Sequence, residues 1–358
     1  MRFIRKTHYV QDINLFRHNG DRFWYGLLLL AGLFAPLGLD RFYLGEFAQV
    51  FIYAIAGIGL MLLVGYTGLV SLGHAAFLAT GAYAHAYLMN LGVPMPVALL
   101  LAMALSAGIG GLVAIPALRM TGIYLAVATL AFAVIVEQVL SHWVSVTGGF
   151  RGMAVAEPEF MGLDLGQPRW FYYLCLALLI VSMLAALNLL RAPTGRAMVA
   201  VRDSETSAQS MGIHINRTKG IAFAVSAAFT GLAGGLFAHR IGYLAPDAFT
   251  LLTSIQLLLM VVVGGLGSLH GVVFGAIFIG MLPQGIAMFR DIVPPAVAQL
   301  PGLEPGIFGL ILVLFLIYEP LGIYGRWLKI RLYFEEFPLY RKATYKRQKS
   351  FLKTERLR

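Results

Sequence analysis

Ten long apolar segments, separated by polar connections, dominate this chain of 358 residues. About 20 apolar residues are needed for a helix to cross a bilayer, where only helices and closed barrels satisfy their own backbone. Charged residues make up 12% of the chain, against about a quarter in a soluble domain. The pattern predicts an all-α integral membrane protein with about ten transmembrane helices. The predicted spans cover approximately residues 24–39, 48–65, 75–91, 95–116, 122–141, 170–190, 219–240, 249–265, 270–288 and 304–323.

The basic residues are distributed unevenly between the two sides of these spans. With both termini in the cytoplasm, 22 of the 27 Lys and Arg residues lie inside. This positive-inside bias sets the orientation and explains most of the net charge of +10 without nucleic acid. It predicts a basic cytoplasmic segment at 1–23, a transmembrane domain at 24–323 and a basic cytoplasmic tail at 324–358. Aromatic residues interleave with the basic ones in the tail, which favours contact with anionic membrane lipid over single-stranded nucleic acid.

A short amphipathic helix is predicted in the cytoplasmic loop at residues 191–218. Pro193 cannot continue the preceding membrane helix, and Gly212 is typical of a helix end. Small or apolar side chains recur every three or four residues between them, while charged residues occupy the other faces. Two interpretations stay open, a solvated connecting helix or a surface that a cytoplasmic partner contacts. The predicted stripe consists of Ala197, Val201, Ser204, Ala208 and Met211.

This loop resembles the coupling loop of the LivM family, the permease subunits of branched-chain amino acid ABC importers. In that family the loop reads Gly-Arg-Ala, then Arg-Asp or Arg-Glu, a further acid, alanines and Gly-Ile. It docks into a cleft on an ATPase subunit, so that closure of the ATPase pair moves the membrane helices. The resemblance implies this coupling role for Gly195, Arg196, Ala197, Arg202, Asp203, Glu205, Ala208 and Gly212.

A second motif, at residues 65–77, interrupts an otherwise continuous apolar region with glycines, hydroxyl residues and a histidine. Such residues release the backbone from regular helical bonding, which membrane proteins tolerate only inside protein or beside a water-filled cavity. A tight turn between two spans and a segment lining the transport pathway are both compatible with the pattern. The motif also resembles a recurrent LivM signature, through Gly65, Gly68, Ser71, Gly73 and His74.

A third match to the family covers residues 255–271. Relatives often carry a carboxylate in place of Gln256 and a proline in place of Val272, and these departures argue against assuming the same substrate. Ser71-Leu72-Gly73-His74 and Ser268-Leu269-His270-Gly271 suggest a five-plus-five internal repeat. Such a repeat would be inverted, yet both motifs precede outward-running spans, so the repeat stays open.

An ionisable residue, Glu137, lies about one turn from the outer end of the fifth predicted span. Such a residue is a functional candidate, although one so near the end can also reach the interface. The outer loop at 142–169 opens with Thr147-Gly148-Gly149, again a family feature, and its size and polarity suit a solute-binding protein. The candidate pathway residues are Gly68, Ser71, Gly73, His74, Glu137, Gln256, Gly265 and Ser268.

Enzymatic readings are left without a site. The sequence contains no Walker A pattern, no zinc-protease His-Glu-x-x-His and no Gly-x-Ser-x-Gly elbow. No cysteine-histidine spacing is typical of a metal site, since Cys175 is the only cysteine. We therefore expect no catalytic residue, cofactor or metal in this chain.

The resemblance covers roughly residues 45–325. It implies a permease subunit in a bacterial inner membrane that pairs with a second, LivH-like permease, two cytoplasmic ATPases that use ATP and Mg, and a periplasmic solute-binding protein. Alternating access would then move branched-chain or similar hydrophobic amino acids. Two alternatives stay open: an ion-gradient-driven secondary transporter, and an ABC permease for urea, amides or aromatic acids.

Overall fold

The computed structural model of the chain describes residues 19–120, 122–160, 163–292, 303–319 and 321–336. These residues are almost entirely helical, so the predicted all-α class is confirmed. The helices are α1 Asn19–Gly38, α2 Arg41–Met61, α3 His74–Asn90, α4 Met95–Ala117, α5 Ile123–His142, α6 Val144–Thr147, α7 Pro168–Arg191, α8 Pro193–Asp203, α9 Glu205–Ser210, α10 Ile215–Ile241, α11 Leu251–Gly264, α12 Leu269–Ile292, α13 Leu303–Tyr318 and α14 Gly322–Glu336. A π-helical turn, Leu62–Tyr66, continues α2, and short 3₁₀ turns occupy Gly149–Arg151 and Pro246–Phe249.

Every predicted span coincides with a helix, but the predicted count of ten spans is not confirmed. Within the described residues, seven helices are long and apolar enough to cross a membrane. Two further apolar helices, Arg22–Gly38 and Gly306–Phe315, are shorter. The third predicted span forms α3, which has 17 residues, and at about 1.5 Å per residue it falls short of a hydrocarbon core of about 30 Å.

Two helices form the centre of the bundle. The most apolar 18-residue stretch of each helix shows this. In α2, continued through the π-helical turn, and in α10, 72% of that stretch is buried, against 22% in α7. The outer helices turn large apolar side chains outward, including Leu100 on α4 and Ile135 on α5. This inside-out distribution suits a bundle surrounded by lipid or by another membrane chain.

Small residues allow α3 and α10 to approach each other closely. A Cβ atom at Gly81 would lie 2.2 Å from the Gly231 carbonyl oxygen. A Cβ atom at Gly234 would lie 2.1 Å from the Leu78 carbonyl oxygen. Any larger residue at these positions would force the helices apart.

The loop at 142–169 folds back onto the end of α10. Strand β1, Met153–Ala154, pairs antiparallel with β4, Tyr243–Leu244, while β2, Glu159–Phe160, pairs with β3, Leu163–Asp164. Buried Thr147 organises the start of this loop: its Oγ1 donates to the Leu140 and Trp143 carbonyls at 2.6 and 2.7 Å and accepts from Gly149 N at 3.1 Å. The described residues of the predicted polar loop are therefore held against the ends of α5 and α10.

The predicted terminal segments lie largely outside the described residues. The basic segment 1–23 is described only from Asn19, and the basic tail 324–358 only to Glu336. The described part of the tail, 324–336, lies within α14.

Candidate functional site

The predicted coupling loop forms two helices where the sequence predicted one. α8 ends at Asp203, and Ser204 adopts an extended conformation and caps α9, its Oγ accepting from Ser207 N at 3.2 Å. The hydroxyl favours this cap over a continuous helix because it satisfies an amide that would otherwise lack a partner. Met198, Val201 and Ala208 are buried, but Met211 is 83% exposed, so the predicted stripe ends before its last member.

Arg202 fastens α8 to the first glycine-rich motif. Its Nη1 donates to the Gly65 carbonyl at 3.0 Å, and its Nε and Nη2 both donate to Asp203 Oδ1, at 3.0 and 2.9 Å. Gly68 lies against the same side chain, since a Cβ atom there would be 3.0 Å from Arg202 Cγ. A positive φ of 75° at Gly68 also favours glycine. Arg202 thus joins two motifs that are separated by more than a hundred residues of sequence.

A buried ion pair fastens α9 to α10. Lys219 Nζ lies 2.7 Å from Glu205 Oε1, and the lysine side chain is only 2% exposed while the glutamate is 42% exposed. The pair borders an open cavity of about 500 Å³ between the loop and α10. Through Arg202 and Glu205, the two short helices contact two different transmembrane elements.

The remaining coupling-loop residues have more local contacts. A Cβ atom at Gly195 would lie 2.4 Å from the Leu189 carbonyl, so the turn from α7 into α8 requires glycine. Arg196 is exposed and donates to the Arg191 carbonyl at 3.0 Å. Ala197 is half-buried, Ala208 is buried, and Gly212 has a φ of 83° in the turn before α10.

The first glycine-rich motif breaks the backbone, as its composition predicted. After the π-helical turn, Thr67 Oγ1 donates to the Leu62 carbonyl at 2.9 Å and Leu69 N donates to the Leu63 carbonyl at 3.0 Å. These bonds satisfy the carbonyls that the end of a helix leaves free. The chain then runs without helical bonding to His74, where α3 begins.

His74 is the centre of a buried polar network that holds this break in place. Its Nδ1 lies 3.1 Å from Ser71 Oγ and its Nε2 lies 2.8 Å from Ser226 Oγ on α10. All three side chains are fully buried. Neighbouring amides bond to hydroxyls on other helices, Leu72 N to Thr129 Oγ1 at 3.0 Å and Ala75 N to Ser254 Oγ at 2.9 Å. The break is therefore bonded to α5, α10 and α11.

The second break, between α11 and α12, meets the first at a pair of glycines. A Cβ atom at Gly65 would lie 2.9 Å from Gly267 N, and Gly267 N itself donates to Met61 Sδ at 3.2 Å. A Cβ atom at Gly267 would in turn lie 3.8 Å from Arg202 Nη1. All three motifs that the sequence analysis singled out therefore converge, and we call the contact of Gly65, Gly68, Arg202 and Gly267 the motif junction.

The other candidate pathway residues lie around these breaks or on other helices. Gly265 has a φ of 118° and packs against the Leu321 carbonyl, and Ser268 Oγ accepts from Gly271 N at 3.2 Å at the start of α12. Glu137 on α5 and Gln256 on α11 are half-buried. Among the described residues, no side-chain hydrogen bond or ion pair connects either one to the motif junction. Their role in a pathway stays a prediction, as does that of His74 and Ser71.

Comparison with known proteins places this chain in a family. The model of the family described as branched-chain amino acid transport system / permease component matches residues 43–316. The chain belongs to this permease family.

Individual relatives agree with the family match. The chain is 35% identical over 321 residues to the high-affinity branched-chain amino acid transport system permease protein LivM of Salmonella typhimurium, covering 83% of this chain and 73% of the relative. Its Escherichia coli counterpart is 35% identical over 325 residues with the same coverage. The autoinducer 2 import system permease protein LsrC of an Enterobacter species is 30% identical over 223 residues, covering 56% of this chain and 59% of the relative. No solved structure matches.

In this permease-family chain, the sequence did not single out several residues that complete the site. Ser226, Thr129 and Ser254 are small hydroxyl residues inside apolar helices, and only the fold places them beside the first break. Lys219 was visible in the sequence as a charged residue at the start of a membrane span, where a lysine is usually an anchor that reaches water. Here it is buried against Glu205.

Proposed function

We propose that this chain is the membrane-spanning, non-catalytic permease subunit of an ATP-driven ABC importer for branched-chain or similar hydrophobic amino acids. It works by alternating access, with separate ATPase subunits acting on α8 and α9. The observation that supports this most directly is the motif junction, where Arg202 on α8 contacts the backbone of the first helix break. A push on the exposed faces of α8 and α9 would reach the membrane helices through that contact.

The proposal includes an orientation and a set of partners. Both termini and the α8–α9 loop lie in the cytoplasm of a bacterial inner membrane, consistent with the excess of Lys and Arg on that side. The opposite end, covered by the loop at 142–169, faces a periplasmic solute-binding protein. A second permease subunit covers part of the apolar surface, and two cytoplasmic ATPases bind ATP and Mg.

Partner composition provides the first test. The tagged chain is extracted gently from its native membrane, and stoichiometric co-purifying chains are identified by mass spectrometry. We expect a second permease and two ATPase subunits. A chain that purifies alone and carries out gradient-driven uptake in liposomes would support a secondary transporter and contradict the importer.

Coupling provides the second test. In the assembled complex, Arg202→Ala removes the bond to Gly65, and we expect solute-stimulated ATP hydrolysis to fall to the basal rate while the subunits still co-purify. The control is Arg119→Ala, another exposed arginine predicted on the same side of the membrane. Unchanged stimulation in Arg202→Ala would count against the coupling role.

The solute is tested separately. The names of relatives include branched-chain amino acids and autoinducer 2, which are chemically different solutes. Uptake of labelled leucine by the complete complex, with excess unlabelled valine, phenylalanine, urea or a short amide as competitor, would distinguish the classes. We expect competition by valine, and competition by urea or the amide alone would contradict the amino acid proposal.

A further inference from the structure

Lys219 combines features that each carry a cost. Its side chain is 2% exposed, its charge is positive, and it is the fifth residue of α10, which starts at Ile215. Burial of the charge loses hydration, and fixing a long flexible side chain loses conformational entropy. The described part of the chain offers it one carboxylate within ion-pair distance, Glu205 at 2.7 Å.

An apolar pair would hold these two helices together without those costs. Only the lysine of this pair is buried, since the glutamate side chain is 42% exposed. Replacing a buried ion pair by well-packed apolar residues is often neutral or stabilising, so even the buried lysine is weak evidence for a stability role. What an ion pair adds is a defined register, because removal of either partner leaves the other charge unpaired. The Lys219–Glu205 contact therefore sets where α9 lies against α10 more strictly than apolar packing would.

The pair also closes a ring of polar contacts. The ring runs from Glu205 to Lys219 at 2.7 Å and along α10 to Ser226. Ser226 contacts His74 at 2.8 Å, and His74 contacts Ser71 at 3.1 Å. From Ser71 the chain leads back to Gly65, whose carbonyl accepts from Arg202 at 3.0 Å, beside Asp203 and α9. The coupling loop is thus tied to the first break twice, once directly and once through α10.

We infer that the Lys219–Glu205 pair is a latch that stays closed through the transport cycle, so that the coupling loop, the first break and α10 move as one body. Lys219 is a positioning residue: it acts through Glu205 on the placement of α9. The inference rests on the proposed function and names a force-transmitting contact in addition to Arg202. Without the latch, a push on the loop would reach α10 only indirectly, through Arg202 and the first break.

The test uses the complete complex in proteoliposomes and measures the ratio of solute-stimulated to basal ATP hydrolysis. Lys219→Met with Glu205→Met removes both charges and keeps apolar volume, so assembly should persist while the ratio falls to about one, the value for no coupling. Lys219→Glu with Glu205→Lys exchanges the charges and should restore the ratio towards that of the wild type. A merely structural role would leave the double methionine variant coupled.

The matched control is Arg217→Met, which removes an exposed cation two residues away on the same helix. It should leave the ratio unchanged. A wild-type complex without stimulated hydrolysis would contradict both the proposed function and the latch. A fully coupled double methionine variant would contradict the latch alone. A charge-exchanged variant that fails to assemble or stays uncoupled would do the same.

A cross-link tests whether the latch stays closed. Cysteines at 205 and 219, joined by a short bifunctional thiol reagent, fix α9 to α10; Cys175 is buried and does not compete for the reagent. Because the double-cysteine variant lacks the ion pair, a latch that never opens predicts that this variant is uncoupled until it is cross-linked, and that cross-linking restores the ratio and uptake towards those of the wild type. A cross-linked variant that stays uncoupled, or an uncross-linked variant that is already fully coupled, would overturn the inference.

Discussion

The two helix breaks meet at Gly65 and Gly267, yet different interactions hold them. The first, residues 67–73 with the adjoining start of α3, bonds to three other helices: His74 Nε2 lies by Ser226 Oγ on α10, Leu72 N donates to Thr129 Oγ1 on α5, and Ala75 N donates to Ser254 Oγ on α11. The second, residues 265–268, has two glycines at positive φ and a serine whose hydroxyl bonds only three residues ahead. The second break also has long-range bonds, from Gly267 N to Met61 Sδ at 3.2 Å and, at the start of α12, between His270 Nε2 and Tyr25 Oη at 2.7 Å. The first break differs in bonding to three other helices, while the second relies more on local backbone conformation. Arg202 on α8 contacts Gly65 and Gly68 at the first break, and a Cβ atom at Gly267 in the second break would lie 3.8 Å from its Nη1.

The largest effect should come from the network of the first break. His74→Ala removes two side-chain hydrogen bonds and leaves a cavity, and we expect a loss of about 2–5 kcal/mol in the free energy of unfolding. Unfolding in mixed micelles measures it. His214→Ala, an exposed histidine without a side-chain cap bond, is the control and should change stability by about 0.5 kcal/mol or less. Equal losses at His74 and His214 would contradict a stabilising role for the network of the first break.

A smaller effect is expected from backbone strain in the second break. Gly267 has a φ of 85° with no close neighbour to its missing Cβ, so Gly267→Ala should cost about 1–2 kcal/mol through conformation alone. Gly267→Asn should cost less, because asparagine tolerates this region better. Gly285→Ala on α12, with open space and ordinary φ, should be neutral or slightly stabilising. A loss at Gly285 as large as that at Gly267 would contradict a conformational origin.

The smallest effect concerns the helix start at the second break. Ser268→Ala should cost about 1 kcal/mol, since its hydroxyl accepts from Gly271 N in the manner of a helix cap. Because the described residues give this serine no bond to the first break, its loss should add to that of His74→Ala within about 0.5 kcal/mol. Ser226→Ala, which removes a direct partner of His74, should not be additive with it. If the losses of Ser268→Ala and His74→Ala in the free energy of unfolding are not additive, the two breaks are coupled.

Local pattern was enough to predict the positions of the apolar helices and of the first break. Long apolar runs indicated the helices, and clustered glycines indicated the interruption at 65–77, because both depend on residues close in sequence. The helix α14 in the tail was not predicted. The split at Ser204 was missed because a helical stripe and a serine cap use the same small polar residue. The exposure of Met211 follows from that split. The predicted count of ten spans is not confirmed; the third predicted span, 75–91, was already short, and α3 has 17 residues.

The sequence by itself determined the membrane class, the resemblance to a permease family and the three motifs. Each is a property of composition or of short ordered patterns. Only the tertiary structure decided that the motifs meet at Arg202, that His74 bonds to Ser226 across the bundle, and that Lys219 is buried against Glu205. The physical reason is that the side chains and glycines at these contacts have their decisive partners on other helices. These partners are set by how the helices cross, and close glycine contacts between helices such as α3 and α10 fix that crossing.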